Sequence, residues 1–332
     1  MATHFGKAPL HQGAKVDLCI VGNLTIDVIF RGVTQMPQWG QEVLCEARTE
    51  AVAGQAGGMA FACAKLGVRT EVVADVGEDA AGERIRRQLG EAGVGVEALT
   101  TVPGGTTPTT VALVRPDGER AFISDLGRLR PIDAGSMVQR WPRVFNSSVV
   151  ALVGTFNLPE LDLRSAAELL GQLRRAGALT AFDPGWDPGN WSGGTVEEVR
   201  AVLTETDLFL PNLDEARALA GRSDIGSVLG ALADLCPGVV VVKGGEVGSY
   251  LAVDDEVVVV ESLPTRVDNA VGAGDVYDAG VITGFLRGDD VLSSMSLATA
   301  AASLYVARRA DRFPTYEESA RLAQSVTTTT TI

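Results

Sequence analysis

From residue 148 onward, short apolar runs alternate regularly with helix-length stretches. The apolar runs are Val149 to Val153, Ala178 to Phe182, Leu208 to Leu210 and Val239 to Val242, with Arg164 to Ala176 typical of what lies between. Runs this short, apolar at nearly every position and rich in β-branched residues, are strands buried on both faces. Strands separated by helices are joined by right-handed crossovers into a parallel sheet. The alternation therefore predicts a doubly wound α/β sheet with helices on both faces. It also places ligand sites at the carboxyl ends of the strands. Val16-Asp17-Leu18-Cys19-Ile20-Val21-Gly22 reads as a buried first strand ending in glycine. No internal repeat and no domain-scale linker is evident.

Composition narrows the function. With 332 residues, 46% of them apolar, the chain can bury one large α/β core and still make an excursion. A net charge of -14 and a pI of about 4.7 argue against nucleic acid or an anionic membrane as partner. The only histidines, His4 and His11, lie in a polar stretch over residues 1–14 that reads as a loose tail. A mechanism built on a core histidine is thereby disfavoured. Cys19, Cys45, Cys63 and Cys236 show no C-x-x-C spacing and read as reduced thiols. No apolar run reaches about 18 residues and no signal-peptide pattern opens the chain. A soluble cytoplasmic protein is expected.

Two segments break the β/α alternation. Residues 41–53 and 107–125 alternate like half-exposed strands, and Arg115-Pro116-Asp117-Gly118 reads as the turn of a hairpin. Together they predict a small β lid, with bounds near 28–53 and 107–125, that could close over a substrate and exclude water. Between them, Ala53-Gly54-Gln55-Ala56-Gly57-Gly58 is a glycine-rich entry to a helix ending near Leu66. The Thr327 to Thr331 run reads as a flexible tail over 327–332.

The stretch with the clearest chemistry is Val267 to Gly280, V-D-N-A-V-G-A-G-D-V-Y-D-A-G. Gly272-Ala273-Gly274 lets backbone N–H groups converge without side-chain obstruction, and a helix-compatible run follows. A helix starting there aims unpaired N–H groups and a positive dipole end at one spot, a site for phosphate. Asp275 would repel a resting phosphate, so its presence suggests proton abstraction from a group that attacks one. An acid capping a helix after a glycine turn is the alternative.

From Val271 to Gly280 the stretch resembles the signature D-T-x-G-A-G-D-x-F-x-A-G of the ribokinase-like, PfkB-type carbohydrate kinases, with Tyr277 in the aromatic slot. The resemblance runs over roughly residues 16 to 323. It implies a ribokinase-like doubly wound, mostly parallel sheet with a small β lid, built as one kinase domain over 15–326. It implies transfer of the γ-phosphoryl of ATP to a primary alcohol of a sugar or polyol. Gly272, Ala273 and Gly274 would form the anion hole and Asp275 would be the base.

Further roles follow from the same resemblance. Asp27 stands five residues after Gly22, where the family binds sugar hydroxyls; a turn aspartate is the alternative. Gly54 matches a substrate-side glycine, and Gly58 occupies the place of a substrate-contacting Asn. Pro211-Asn212-Leu213-Asp214-Glu215 matches P-N-x-x-E, in which Asn212 and Glu215 would act on Mg²⁺ through water; an N-capped helix start is the alternative. Lys243, Gly245 and Gly248 match a turn along the nucleotide, and Thr299 stands where the family often has Asn near the adenine. Asp75 to Gly82 resembles scaffold. The motif's upstream half departs, with Asn269 for Asp and Ala270 for Thr, so a monovalent cation is a further candidate ligand rather than an implied one. A nucleoside is the rival acceptor, mildly disfavoured by 5% aromatic content. A catalytically weak sugar-binding or regulatory protein is the rival of another class. The absence of G-x-G-x-x-G after the first strand disfavours a nicotinamide enzyme. An exposed lid edge could pair two chains into a dimer.

Overall fold

Successive residues of β1 (Val16–Gly22) enter opposite layers. Leu18 and Ile20 join one apolar cluster, and Cys19 and Val21 join another. A strand buried this way needs a helix layer on each face, which the rest of the chain supplies. The computed structural model describes residues 16–129, 146–158, 161–253, 256–267, 270–308 and 312–331. The expected tail over 1–14 and the motif residues Asp268 and Asn269 lie outside them.

The strands that follow β1 are β2 (Thr25–Arg31), β3 (Ala47–Ala53), β4 (Thr70–Gly77), β5 (Leu99–Val102), β6 (Thr109–Val114) and β7 (Arg120–Asp125). They continue as β8 (Ser147–Val153), β9 (Leu179–Asp183), β10 (Leu208–Phe209), β11 (Val239–Lys243), β12 (Gly248–Val253), β13 (Glu256–Glu261) and β14 (Thr328–Thr331). The helices, numbered along the chain, are α1 (Gln55–Lys65), α2 (Ala80–Glu91), α3 (Leu163–Arg175), α4 (Gly193–Leu203) and α5 (Leu213–Ala220). After them come α6 (Ile225–Ala233), α7 (Ala273–Arg287), α8 (Val291–Val306) and α9 (Tyr316–Ala323).

Ten strands form one sheet in the order β14-β13-β12-β11-β10-β9-β8-β1-β4-β5. It is parallel from β5 to β11 and antiparallel from β11 to β14. On one face, α1, α2, α7 and α8 cover Leu18, Ile20, Val72 and Ala74. On the other, α3 to α6 cover Cys19, Val21, Val150 and Leu152. Each fully buried leucine or isoleucine here contributes about 1.5–3 kcal/mol relative to exposure. The small-residue character of Ala298 to Ala302 reflects helix packing. A Cβ on Gly280 of α7 would lie 2.4 Å from the Cα of Ala298 in α8, so the two backbones cross closely.

A second sheet of four strands, β3-β2-β6-β7, is the lid. Its β6–β7 hairpin turns through Gly118 at φ 89°, as the Asp-Gly signal predicts. The lid differs from expectation at its start. Its central strand begins at Thr25, and Asp27 pairs with Ala51 and Thr110 inside that strand rather than in a turn. The strand after it covers only Ala47–Ala53 of the expected 41–53 stretch. Asp79 caps α2 and also accepts from the backbone and hydroxyl of Thr107, which ties the scaffold segment to the base of the lid.

Within the expected tail at 327–332, residues 328–331 form strand β14 instead. Thr328–Thr331 pairs antiparallel with β13, and the Thr327 hydroxyl donates to Glu261. A run of β-branched threonines fits a pleated surface, and β13 otherwise presents an open edge for it to cover. Cys19, Cys63 and Cys236 are buried and free, and Cys45 is exposed and free. Among the described residues, no helix is long and apolar enough to cross a membrane.

Candidate active site

Helix α7 begins without a side-chain cap. Gly272 takes the N-cap position in the left-handed region, φ 81°, which glycine adopts without the cost a Cβ brings. A helix start leaves N–H groups without intrahelical partners and carries the positive end of the helix dipole. The space in front of this one is bare. A Cβ on Gly274 would meet only the Lys243 ammonium, 3.6 Å away, and one on Gly272 would meet the Tyr305 hydroxyl at 3.1 Å. The Tyr305 hydroxyl donates to the Val271 carbonyl and steadies the turn that leads into the helix.

Asp275 sits in the first turn of α7 and lines a cavity of about 910 Å³ that opens beneath the lid. Asp27 and Gly54 line the same cavity, reached from β2 and from the entry to α1. The sequence places Asp27 and Asp275 far apart; the fold brings both to one chamber. Gly54 has φ 82°, and a Cβ there would lie 2.4 Å from the Asn23 carbonyl, so the glycine is required by the chain crossing. Gly58 has a role the sequence does not announce. A Cβ on it would fall 2.5 Å from Oδ2 of Asp275. The position therefore makes room for the carboxylate of Asp275 rather than contacting a ligand through a side chain.

Burial drives Asp275 well above the ordinary carboxylate range, reinforced by the charges of Asp183 and Asp27 against the pull of Lys243. Burial also raises Asp27, which accepts from the Thr25 hydroxyl at 2.6 Å.

Behind α7 lies an ionic group that the sequence reading only touches through Lys243. Its Nζ donates to Asp183 at 2.9 Å and to both oxygens of Asp278, at 3.0 and 2.9 Å. Asp183 ends β9, and Gln55 of α1 also donates to it. Burial opposes charge on the lysine, but Asp183 and Asp278 outweigh it and hold Lys243 above its usual value. Burial would likewise raise Asp183, yet Lys243 and the bonds from Asp278 and the Gly185 N–H hold it low. Asp278 is driven well above the carboxylate range by burial, despite Lys243. Two signals could have found these acids: an apolar strand ending in Asp, and a second Asp three residues after Asp275 in a helix.

Asn212 caps α5 and forms a capping box with Glu215. The Asn212 side chain accepts from the N–H groups of Asp214 and Glu215, and Glu215 accepts from the Asn212 N–H at 2.8 Å. Asn212 also bridges in parallel to Lys243, so this helix start adjoins the ionic group. Burial, then the charge of Asp183, pushes Glu215 up to about 7. Gly245 has φ 63° with nothing within 4 Å of a Cβ, so its turn faces open space. Gly248 is held by the sheet instead, because a Cβ would lie 2.1 Å from the Val260 carbonyl. Thr299 is buried in α8. Among the described residues, no three His, Cys, Asp or Glu side chains gather as a metal-ion cage.

The architecture is that of the ribokinase-like α/β fold. The structure of Arabidopsis thaliana ribokinase complexed with ribose and ATP superposes with a TM-score of 0.76 at 23% identity, covering 93% of this chain and 99% of that one. The sequence matches the pfkB family carbohydrate kinase over residues 15–318, and the chain belongs to that family of kinases. A nucleoside kinase of Methanothermobacter thermautotrophicus is 27% identical over 291 residues, 87% of this chain and 89% of that protein. An ATP-dependent ribose-1-phosphate kinase of Halopiger xanaduensis is 28% identical over 291 residues, 88% of this chain and 92% of that protein.

Proposed function

We propose that this carbohydrate kinase transfers the γ-phosphoryl of ATP to a primary hydroxyl of a sugar or sugar-like alcohol held in the cavity beneath the lid. The observation that carries the reading is the pairing, at one helix start, of a bare backbone over Gly272 to Gly274 with the Asp275 carboxylate. The acceptor lies between Asp27 and Asp275. Asp27 accepts hydrogen bonds from sugar hydroxyls, each charge-assisted when the carboxyl is ionised. Asp275 accepts the proton of the attacking hydroxyl while the new O–P bond forms and the bridging P–O bond to ADP breaks. An alcohol is far too weak an acid to lose its proton beforehand, so proton transfer accompanies attack. A base held above the ordinary carboxylate range is better matched to that task near neutral pH. Charge growing on the transferred group faces the α7 N-terminus, with Lys243 beside Gly274.

Mg²⁺ fits this site as an ion that arrives with the nucleotide. The buried acids Asp27, Asp183, Asp278 and Glu215 outnumber the partly buried Lys243 that stands among them. Mg²⁺ keeps most of its waters and needs only one or two protein oxygens. Asn212 and Glu215 would reach those waters, and the ion would neutralise phosphate charge. The Gly245 turn would lie along the nucleotide, with Thr299 towards the adenine. The domain would span 15–326, and the exposed lid edges β3 and β7 would pair two chains. Measurement of ADP release with Mg²⁺ and ATP across sugars, polyols and nucleosides tests the reading. Acceptor-dependent ADP release is expected; none with any of these alcohols would overturn it.

A further inference from the structure

Helix α7 carries two acids one turn apart, and only Asp275 lines the cavity beneath the lid. Asp278 is fully buried, among helix neighbours such as Val276, Ala279 and Ile282 that are buried as well. A carboxyl placed that deep costs free energy, and apolar side chains of similar volume often serve packing as well or better. Packing alone therefore gives no reason for an acid at this position. What the acid holds does.

It holds Lys243. Both Asp278 oxygens accept from the lysine Nζ, at 3.0 and 2.9 Å, and Oδ2 of Asp183 accepts at 2.9 Å. Gln55 donates to the same Asp183 oxygen at 3.1 Å, and the Gly185 N–H donates to the other. The ammonium is thus fixed between the end of β9 and the second turn of α7. It lies 3.6 Å from where a Cβ on Gly274 would stand, and nothing else from outside the helix comes within 4 Å of that point.

The spacing of Gly274 and Asp278 supplies the geometry. Residues four apart on a helix stand one above the other, and helical side chains lean towards the N-terminus. Asp278 therefore leans towards the space that a side chain at 274 would fill. The glycine leaves that space open between the ammonium and the N–H groups of the helix start. An oxygen placed there would touch both. Because the glycine and the acid belong to one helix, Asp278 keeps the cation in register with the bare backbone. Burial drives Asp278 well above the carboxylate range despite Lys243, so this support adds little negative charge beside a bound phosphate.

We propose that Asp278 is a positioning residue for phosphoryl transfer: it acts through Lys243, holding the ammonium in the notch at Gly274 where charge on the transferred group develops. This rests on the kinase reading above and adds to it a residue that touches neither acceptor nor nucleotide. Asp183 and Gln55 complete the support from β9 and α1.

The test is a double-variant cycle on kcat, with both KM values and the melting temperature measured beside it, for the acceptor that the wild type uses best. Lys243→Met keeps most of the stem and removes the charge; kcat should fall about 10²–10³-fold, the effect of losing one donor at a developing anion. Asp278→Ala should lower kcat on the order of 10²-fold by misplacing the ammonium, with the acceptor KM within about three-fold. Asp278→Asn keeps an oxygen that accepts from Nζ and should recover most of that loss. In the Lys243→Met background, Asp278→Ala should change kcat by less than about three-fold, because its route to the reaction is gone. Where Asp278→Ala does not fold, Asp278→Val, which fills the space without an acceptor, takes its place in the cycle. Losses that multiply in the double variant would overturn the proposal, as would wild-type kcat in Asp278→Ala or no recovery in Asp278→Asn. If the wild type turns over an acceptor and any of those results is found, the kinase reading stands and this one fails. If the wild type turns over none, calorimetric titration in Mg²⁺ with ADP and with the β,γ-imido analogue of ATP decides. Lys243→Met and Asp278→Ala should each weaken the analogue more than ADP. An unchanged ratio of the two affinities, or no binding of either nucleotide to the wild type, would overturn the proposal.

Discussion

Gly58→Ala should lower activity without lowering stability, because two physical effects pull in opposite directions at one atom. Gly58 lies inside α1, where alanine is favoured over glycine by about 0.5–1 kcal/mol. The added Cβ would sit 2.5 Å from Oδ2 of Asp275, whereas ordinary contact begins at 3.4 Å. The gap to be made up is about 0.9 Å. The helices α1 and α7 both pack in the same core cluster, so the end of the short Asp275 side chain gives way before either backbone does. Misplacing a reacting group by about 1 Å costs on the order of 10²-fold in rate, or about 2.7 kcal/mol of transition-state stabilisation. The assay is kcat with saturating acceptor and ATP, beside a thermal melt. A kcat down about 100-fold with a melting temperature unchanged or raised is the expected pair. Wild-type kcat would refute the reasoning, since it would mean that the position of Oδ2 is irrelevant to turnover. A large fall in melting temperature would show instead that the backbones had moved.

Two other perturbations separate binding from folding. Asp27→Ala should raise the acceptor KM about 10- to 150-fold, corresponding to loss of a hydrogen bond to a charged group, and leave the KM for ATP nearly unchanged; equal effects on both substrates would mean a structural role. Glu215→Gln keeps an oxygen to accept from the Asn212 N–H, so the capping box survives while the titration is removed. Because the folded-state pKa of Glu215 is raised to about 7, its contribution to stability is fully present below the ordinary value near 4.5 and is lost as pH rises through 7. The melting temperature of the variant should therefore gain on the wild type between about pH 5 and 8; parallel curves would contradict the burial of that carboxyl.

Much of the fold was legible because its signals are local. The apolar runs at Val149 to Val153 and Val239 to Val242 are strands, and a helix does begin at Ala273 with Gly272 as its N-cap. Each of these depends on neighbours in sequence. What escaped depends on partners far away. Asp183 and Asp278 read as a strand end and a helix interior until Lys243, distant from both in sequence, joins them. Gly58 looks like a lost contact until Asp275 is seen to fill the space beside it. The Thr328–Thr331 run has the composition of a tail, but β13 supplies the edge that makes it a strand. Aromatic content of 5% describes the chain and not the cavity, and only the fold shows that Phe122, Phe156 and Trp186 converge.

The pH dependence of kcat/KM in wild type and in Asp275→Asn tests the central claim most directly. The substitution preserves shape and removes the base. It should lower kcat roughly 10²–10⁴-fold while nucleotide binding, followed by titration with ATP, stays near wild type. Because burial holds Asp275 well above the ordinary carboxylate range, the wild-type profile should rise with pH along a limb displaced above that range, as the base loses its proton. The residual activity of the variant should lack that limb. Turnover of Asp275→Asn within about three-fold of wild type, or the same rising limb in both proteins, would contradict Asp275 as the base.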